Sequence, residues 1–169
     1  GTYFYTAGCI DDAEFQPIIS AAESGCGPGT VTITNKSGTI QGGLLFTSTQ
    51  VSRVVSGSLS FTLNLGGTLC ANALGCSYAS AALSTYGVSG TCSLDTTAMM
   101  CVCPVTRPFG GGGYENYTAA NNQVTVAGTP AEVYDYCLTA GGTNLAYHEV
   151  TAPDAGSYIR DPGYFTLTK

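Results

Sequence analysis

The sequence contains no tryptophan, a single histidine and few charged residues. Charged side chains make up 9% of its 169 positions, against roughly 25% in an ordinary soluble domain. The net charge is −6, and only five residues are basic. These five are scattered along the chain: Lys36, Arg53, Arg107, Arg160 and Lys169. Because no basic patch exists to neutralise a row of phosphates, the sequence argues against nucleic acid as a partner.

Long apolar runs are missing as well. No stretch approaches the roughly 20 residues that a transmembrane helix needs, and no basic segment followed by an apolar one opens the chain. We therefore expect no transmembrane segment and a signal or anchor that has already been removed. The chain has eight cysteines, and disulfides persist in oxidising compartments. The sequence thus predicts a secreted or surface-displayed protein.

One strong helix is predicted near the start of the chain. Its apolar residues recur at helical spacing: Phe15, Ile18, Ile19 and Ala22. Asp11 or Asp12 is a candidate N-cap, Pro17 fits the first turn, and Gly25 stands where a helix-ending glycine is expected. A second, short helix is predicted over 77–86.

The remaining chain favours strands. Between 58 and 65, apolar residues alternate with Ser, Thr and Asn, which is typical of a strand with one buried face. Glycine-rich and asparagine-rich positions predict turns at 35–38, 42–43 and 56–57. Further strands are predicted over 91–94, 98–103, 122–127, 131–138, 145–151 and 162–168, with a long flexible loop between, at 108–122. We expect one all-β domain over 1–169, a mainly antiparallel barrel or sandwich with two helices.

Three of the eight cysteines fall within the segment "CSLDTTAMMCVC" at 92–103. No C-x-x-C motif exists and the chain has one histidine, so disulfides are favoured over a metal or redox site. On a strand, Cys101 and Cys103 share a face about 7 Å apart and need separate partners. We expect all eight to be paired: Cys9 with Cys26, Cys92 with Cys101, Cys70 or Cys76 with Cys103, and the remaining one with Cys137.

No catalytic constellation can be assembled from the sequence. His148 and Glu149 are adjacent on a predicted strand and so face opposite ways. A hydrolase would have to rely on carboxylates such as Asp135, Asp154 and Asp161. We therefore expect a protein that is not an enzyme and that has no cofactor and no metal. Glycosylation sequons lie in predicted turns at Asn35 and Asn116.

The chain resembles a lipocalin-type up-and-down β-barrel. The resemblance rests on the opening "GTY" at 1–3, the helix near the chain start, successive antiparallel hairpins, and a final strand "YFTLTK" that can pair with the first. It departs from that family in having Tyr3 where lipocalins usually carry tryptophan, in the position of the helix, and in its cysteines. The segment "VYDYC" and the Gly-Thr-rich strands are also similar to small secreted bacterial lipoproteins, which imply no function.

Two functions follow as hypotheses. The first is a non-catalytic barrel that binds a small apolar ligand in its interior, as the lipocalin resemblance implies. Its candidate ligand-binding residues are Tyr3, Tyr5, Phe46, Phe61, Tyr134 and Tyr136. The second is a structural or interaction subunit of an extracellular assembly, such as an adhesin, coat or filament protein, in which a terminal strand at 1–6 or 163–169 joins a neighbouring copy.

Overall fold

Antiparallel strands dominate a computed structural model of the chain, which describes residues 1–10, 12–85, 88–128, 131–151 and 163–169. The all-β class with two helices is confirmed. In chain order the strands are β1 (Thr2–Cys9), β2 (Val31–Phe46), β3 (Gln50–Leu65), β4 (Ser89–Gly90), β5 (Ser93–Asp95), β6 (Met100–Ala120), β7 (Gln123–Val126), β8 (Glu132–Thr139), β9 (Asn144–Glu149) and β10 (Tyr164–Thr168). The helices are α1 (Gln16–Cys26) and α2 (Ala73–Thr85).

The described chain divides into two compact units. The first comprises residues 1–14, 38–57 and 109–169, and the second comprises 15–37 and 58–108. Strands β2, β3 and β6 each contribute one part to the first unit and another part to the second. The prediction of a single domain over 1–169 stays a prediction.

The first unit is a closed antiparallel barrel of eight strands in the order β1-β2-β3-β6-β7-β8-β9-β10. The first and last strands pair, with Phe4 opposite Thr168 and Cys9 opposite Tyr164. Strands β3 and β6 also pair, which closes the barrel, and beside this pairing the Tyr117 amide of β6 donates to the carbonyl of Thr49, just before β3 (3.1 Å). The barrel was one of the two predicted architectures, and it is consistent with the lipocalin-like resemblance.

Side chains alternate between the barrel interior and the outer face because a strand has a period of two. On β10, Phe165 and Leu167 are buried while Tyr164, Thr166 and Thr168 are exposed. The same alternation recurs on other strands and assembles one apolar core. Its buried members are Tyr3, Leu44, Val51, Val55, Val126, Tyr134, Leu145, Tyr147, Phe165 and Leu167.

The turns predicted at 35–38, 42–43 and 56–57 are wrong, because β2 and β3 run through them as continuous strands. Glycine serves another purpose here. A Cβ atom at Gly42 would overlap the Val54 carbonyl oxygen, and one at Gly43 would overlap the Tyr3 carbonyl oxygen. These glycines allow neighbouring strands to approach closely, which is a recognised role of glycine within strands. The real turn between β2 and β3 lies at 47–49.

The long loop predicted at 108–122 is also wrong, since β6 extends to Ala120. A Cβ atom at Gly110 would overlap the Val55 carbonyl oxygen, so the glycine-rich segment is again a place of close strand approach. The sequon Asn116 therefore lies on β6 and the sequon Asn35 on β2, rather than in turns.

The second unit contains α1, α2, β4, β5 and parts of β2, β3 and β6. Phe15 packs edge-to-face on Phe61, with ring centroids 5.1 Å apart. Pro17 lies in the first turn of α1, as predicted, but neither predicted end of the helix is confirmed. The N-cap is Phe15 without a side-chain bond, and the terminating glycine is Gly27, at φ 110°, rather than Gly25. Asp12 lies in a preceding 3-10 turn, and Asp11 lies outside the described residues.

Three disulfides staple the second unit: Cys26–Cys70, Cys76–Cys101 and Cys92–Cys103. The predicted pairs Cys9–Cys26 and Cys92–Cys101 are therefore wrong. Strand register explains the second error: Leu94 lies opposite Cys101 and Ser93 opposite Val102, so the next position along places Cys92 opposite Cys103. Cys9 and Cys137 are exposed free cysteines, so neither of the pairings expected for Cys103 and Cys137 occurs.

The helices do not resemble membrane spans. Among the residues that the structure describes, none of the helices has both the length and the apolar character needed to cross a bilayer.

Candidate functional site

A cavity of about 270 Å³ lies inside the barrel of the first unit. Its walls are mainly apolar, with residues such as Leu44, Val51, Val126 and Leu145. Four ionisable side chains that are charged in water also line it: Arg53, Glu115, Glu132 and Lys169. The arrangement matches the usual composition of small-molecule sites, in which apolar walls carry a few polar groups.

Strand alternation delivers these side chains to the interior. On β8, every second residue lines the cavity: Glu132, Tyr134, Tyr136 and Leu138. On β3 the same spacing brings Val51 and Arg53 inward, and on β9 it brings Leu145 and Tyr147 inward. Side chains two positions apart on a strand point to the same side. A polar residue therefore points into the interior when the residues two positions before and after it are apolar and point inward.

The cavity runs from a solvent-exposed rim into the buried core. Ala119, Leu138 and Lys169 line it and are exposed. Ala119 lies one residue before the end of β6, Leu138 lies one residue before the end of β8, and Lys169 directly follows β10. Tyr134, Leu145 and Tyr147 line it and are buried. A ligand can therefore reach the inner wall from solvent through the rim.

A group of polar side chains lies within this apolar surrounding, and we call it the interior polar cluster. Its members are Tyr5, Arg53, Glu132, Tyr134, Tyr147 and Glu149. Arg53 is only 5% exposed, and its Nη1 donates to the Tyr134 hydroxyl oxygen at 3.4 Å. The Tyr134 hydroxyl in turn donates to Glu132 Oε2 at 2.6 Å. Glu149 is 4% exposed. Since buried charges are costly unless paired and hydrogen-bonded, the hydrogen bonds through Tyr134 help to stabilise Arg53 and Glu132 in the interior.

The three tyrosines of the cluster stay protonated at neutral pH. Burial raises the pKa of Tyr147 to about 12, and the positive charge of Arg53 lowers it in part. Burial also raises the pKa of Tyr134 and of Tyr5 well above the usual value near 10. The Tyr5 and Tyr147 hydroxyl oxygens lie 2.6 Å apart and share a hydrogen bond. The cluster thus presents neutral phenols beside a guanidinium and two carboxyl groups.

Aromatic rings meet edge-to-face around the cavity. Phe46 packs this way against both Tyr3 (6.1 Å between centroids) and Tyr117 (5.5 Å), and Tyr134 packs against Tyr147 (5.7 Å). This geometry is the favoured one for aromatic pairs. At the rim, Lys169 Nζ lies 5.2 Å from the centre of the Tyr3 ring, within the range of a cation–π contact.

The structure brings together four of the six residues predicted for ligand binding: Tyr3, Phe46, Tyr134 and Tyr136 line the cavity. Tyr5 does not line it but supports the wall through its contact with Tyr147. Phe61 belongs to the core of the second unit and has no part in this cavity. Alternation places both Tyr5 and Phe61 on a buried face, but alternation alone does not say which region of a core a strand residue reaches.

Sequence reasoning missed Arg53, Glu132 and Tyr147. A usable signal was present for Arg53, because "VSRVV" puts it between Val51 and Val55 on one strand face. Glu132 shares the face of Tyr134 and Tyr136 in the same way. For Tyr147 the predicted strand at 145–151 already contained the residue, but nothing local distinguished it from the other tyrosines.

Two of the other candidates for chemistry that the structure describes, His148 and Asp135, are cross-strand neighbours on β9 and β8. His148 stacks on Tyr164, with ring centroids 4.2 Å apart, while its neighbour Glu149 is buried, so the two face opposite ways as predicted. Asp135 accepts a hydrogen bond from Gln123 (2.8 Å) on the outer face. Asp154 and Asp161 lie outside the described residues. The sulfurs of Cys92, Cys101 and Cys103 lie within 4.8 Å of one another, and the disulfides account for all three.

Comparison with protein-family models, curated proteins and solved structures found no match to this chain.

Proposed function

We propose that this chain is a secreted or surface-displayed, non-catalytic binding protein that takes a small, largely apolar ligand inside its barrel. One observation carries the proposal: the cavity of about 270 Å³ with apolar walls and a solvent-exposed rim. An apolar cavity of about 150 Å³ accepts benzene. The present cavity therefore suits a ligand of one or two rings.

The disulfide bonds support the proposed extracellular location. Three disulfides are formed within the described chain, and such bonds persist in oxidising compartments. Together with the low charge of the sequence, they favour an exported protein.

The pairing of the terminal strands favours binding over assembly by strand addition. β1 is paired on one side with β2 and on the other with β10, and β10 is also paired with β9. Strand addition requires a free edge. Strand addition through residues 1–6 or 163–169 would first require these strand pairings to break.

A matched pair of substitutions tests the binding site. Ala119 lines the rim, whereas its neighbour Ala120 is exposed and does not line the cavity. Ala119→Phe places a ring in the cavity entrance, and Ala120→Phe places the same ring on the outside. Using 2-naphthol as the probe and isothermal titration calorimetry, we expect the unmodified protein and Ala120→Phe to bind alike and Ala119→Phe to bind at least tenfold more weakly.

Two results would contradict the proposal. One is the absence of measurable binding of both 2-naphthol and 2-methylnaphthalene to the unmodified protein. The other is equal binding by both variants, which would place the probe elsewhere on the molecule. Circular dichroism spectra of the two variants provide the check that both retain the strand content of the parent.

A further inference from the structure

The ionisable side chains that line the cavity are equally divided between the two signs. Arg53 and Lys169 supply two positive charges, and Glu115 and Glu132 supply two negative ones. Glu149 belongs to the interior polar cluster, but it is buried and does not line the cavity. A charged ligand would leave water and meet wall side chains of both signs, and desolvating a charge is costly unless it is paired. The wall therefore favours an uncharged ligand.

The hydrogen-bonding groups of the wall suit a hydroxyl group. The Tyr134 hydroxyl accepts from the Arg53 guanidinium (3.4 Å) and donates to the Glu132 carboxylate (2.6 Å) through one oxygen atom. A guanidinium only donates and a carboxylate only accepts, whereas a hydroxyl does both. The Tyr134 side chain thus shows that a single hydroxyl group can satisfy the guanidinium and the carboxylate at once.

The remaining wall suits a ring. The aromatic side chains around the cavity already meet edge-to-face, and a flat aromatic ligand can continue that packing. Leu44, Val126 and Leu145 supply apolar surface for the body of such a ring.

We infer that the ligand is an uncharged phenol of one or two rings, whose hydroxyl joins the Arg53, Tyr134 and Glu132 hydrogen bonds while its rings occupy the apolar part of the cavity. This inference rests on the proposed function and specifies the chemical class of its ligand.

Four probes of nearly equal size test the inference near neutral pH. They are 2-naphthol, 2-naphthoate, (2-naphthyl)methylammonium and 2-methylnaphthalene, which differ only in the group attached to the ring system. In calorimetric or fluorescence titrations we expect 2-naphthol to bind at least tenfold more tightly than either charged probe. We also expect it to bind at least threefold more tightly than 2-methylnaphthalene, which cannot form the hydrogen bonds.

A substitution at Glu132 tests the charge balance directly. Glu132→Gln removes one negative charge from the wall but keeps the size of the side chain. We expect the preference for 2-naphthol over 2-naphthoate to shrink at least fivefold in this variant. Asp135→Asn is the matched control, because Asp135 lies on the same strand but is exposed. It should leave the preference unchanged.

The outcomes separate this inference from the proposed function. If a charged probe or 2-methylnaphthalene binds as tightly as 2-naphthol and Ala119→Phe blocks that binding, the site stands and the phenol inference is overturned. An unchanged preference in Glu132→Gln also overturns it. If none of the four probes binds, both the inference and the proposed function fail.

Discussion

At the scale of single residues, glycine controls how closely the strands of the barrel approach. Gly42 and Gly110 both adopt positive φ values, 108° and 136°, that other residues rarely adopt. At each position the backbone of a neighbouring strand occupies the space of a Cβ atom. The glycines that suggest turns and a loop in the sequence are therefore requirements of strand packing.

Replacing Gly110 should destabilise the protein. In Gly110→Ala the new methyl group would overlap the Val55 carbonyl oxygen, and the backbone conformation would be strained as well. We expect the free energy of unfolding in urea to fall by about 2 kcal/mol or more. Gly112→Ala is the control, because its Cβ would meet nothing closer than the Arg53 carbonyl oxygen at 3.5 Å. A loss in Gly112→Ala as large as that in Gly110→Ala would contradict this account.

At the scale of elements, strand register decides the disulfide pattern. The β5–β6 pairing sets Cys92 opposite Cys103 and leaves Cys101 for Cys76 of α2. A shift of two residues in the predicted register was enough to assign the wrong partner. The sequence predicts disulfides and separate partners for Cys101 and Cys103, and both expectations agree with the bonds that form.

A non-reducing peptide map checks the pattern. We expect three bonds, Cys26–Cys70, Cys76–Cys101 and Cys92–Cys103, and two thiols that react with an alkylating reagent, at Cys9 and Cys137. Recovery of a Cys9–Cys26 or Cys92–Cys101 peptide would refute this disulfide pattern.

The energetic cost of losing a bond should follow the length of the loop that it closes. Cys26 and Cys70 are 44 residues apart, whereas Cys92 and Cys103 are 11 apart. From the entropy of the unfolded chain, we expect a loss of about 4 kcal/mol when the first pair is replaced by alanines and about 3 kcal/mol for the second. Chemical denaturation of the two double variants measures both values.

At the scale of the whole molecule, closure of the barrel buries a polar cluster in an apolar interior, which makes stability depend on pH. In the unfolded chain a tyrosine ionises near pH 10. In the folded protein the pKa of Tyr147 is about 12, and those of Tyr5 and Tyr134 are also raised. Between these values the unfolded state has lost a proton that the folded state keeps. Stability is therefore fully present below pH 10 and decreases as the pH rises further.

Alkaline unfolding tests this dependence. We expect the free energy of unfolding to stay level up to about pH 10 and to fall toward pH 12, with roughly 2–3 kcal/mol of the loss due to Tyr147. Tyr147→Phe should lower the steepness of the fall, whatever its effect near neutral pH. Tyr164→Phe, at an exposed position, should not change the steepness. Equal steepness in Tyr147→Phe and the parent would show that burial of this phenol does not contribute.

The amino-acid sequence by itself determined the class of the molecule: antiparallel strands, two helices and disulfide bonds. These properties follow from alternation, helical spacing and composition, which are local and can be read along the chain. Four of the cavity residues, Tyr3, Phe46, Tyr134 and Tyr136, could also be predicted from the sequence, because alternation shows which aromatic residues share a buried face.

Only the tertiary structure decided which residues meet. The partner of Cys92, the location of Phe61 away from the cavity, and the grouping of Arg53 with Tyr134 and Glu132 all depend on strand register and on the order of strands around the barrel. Those features are contacts between residues far apart in the chain. Local patterns do not encode them, because a shift of a single residue pair changes which side chains lie opposite one another.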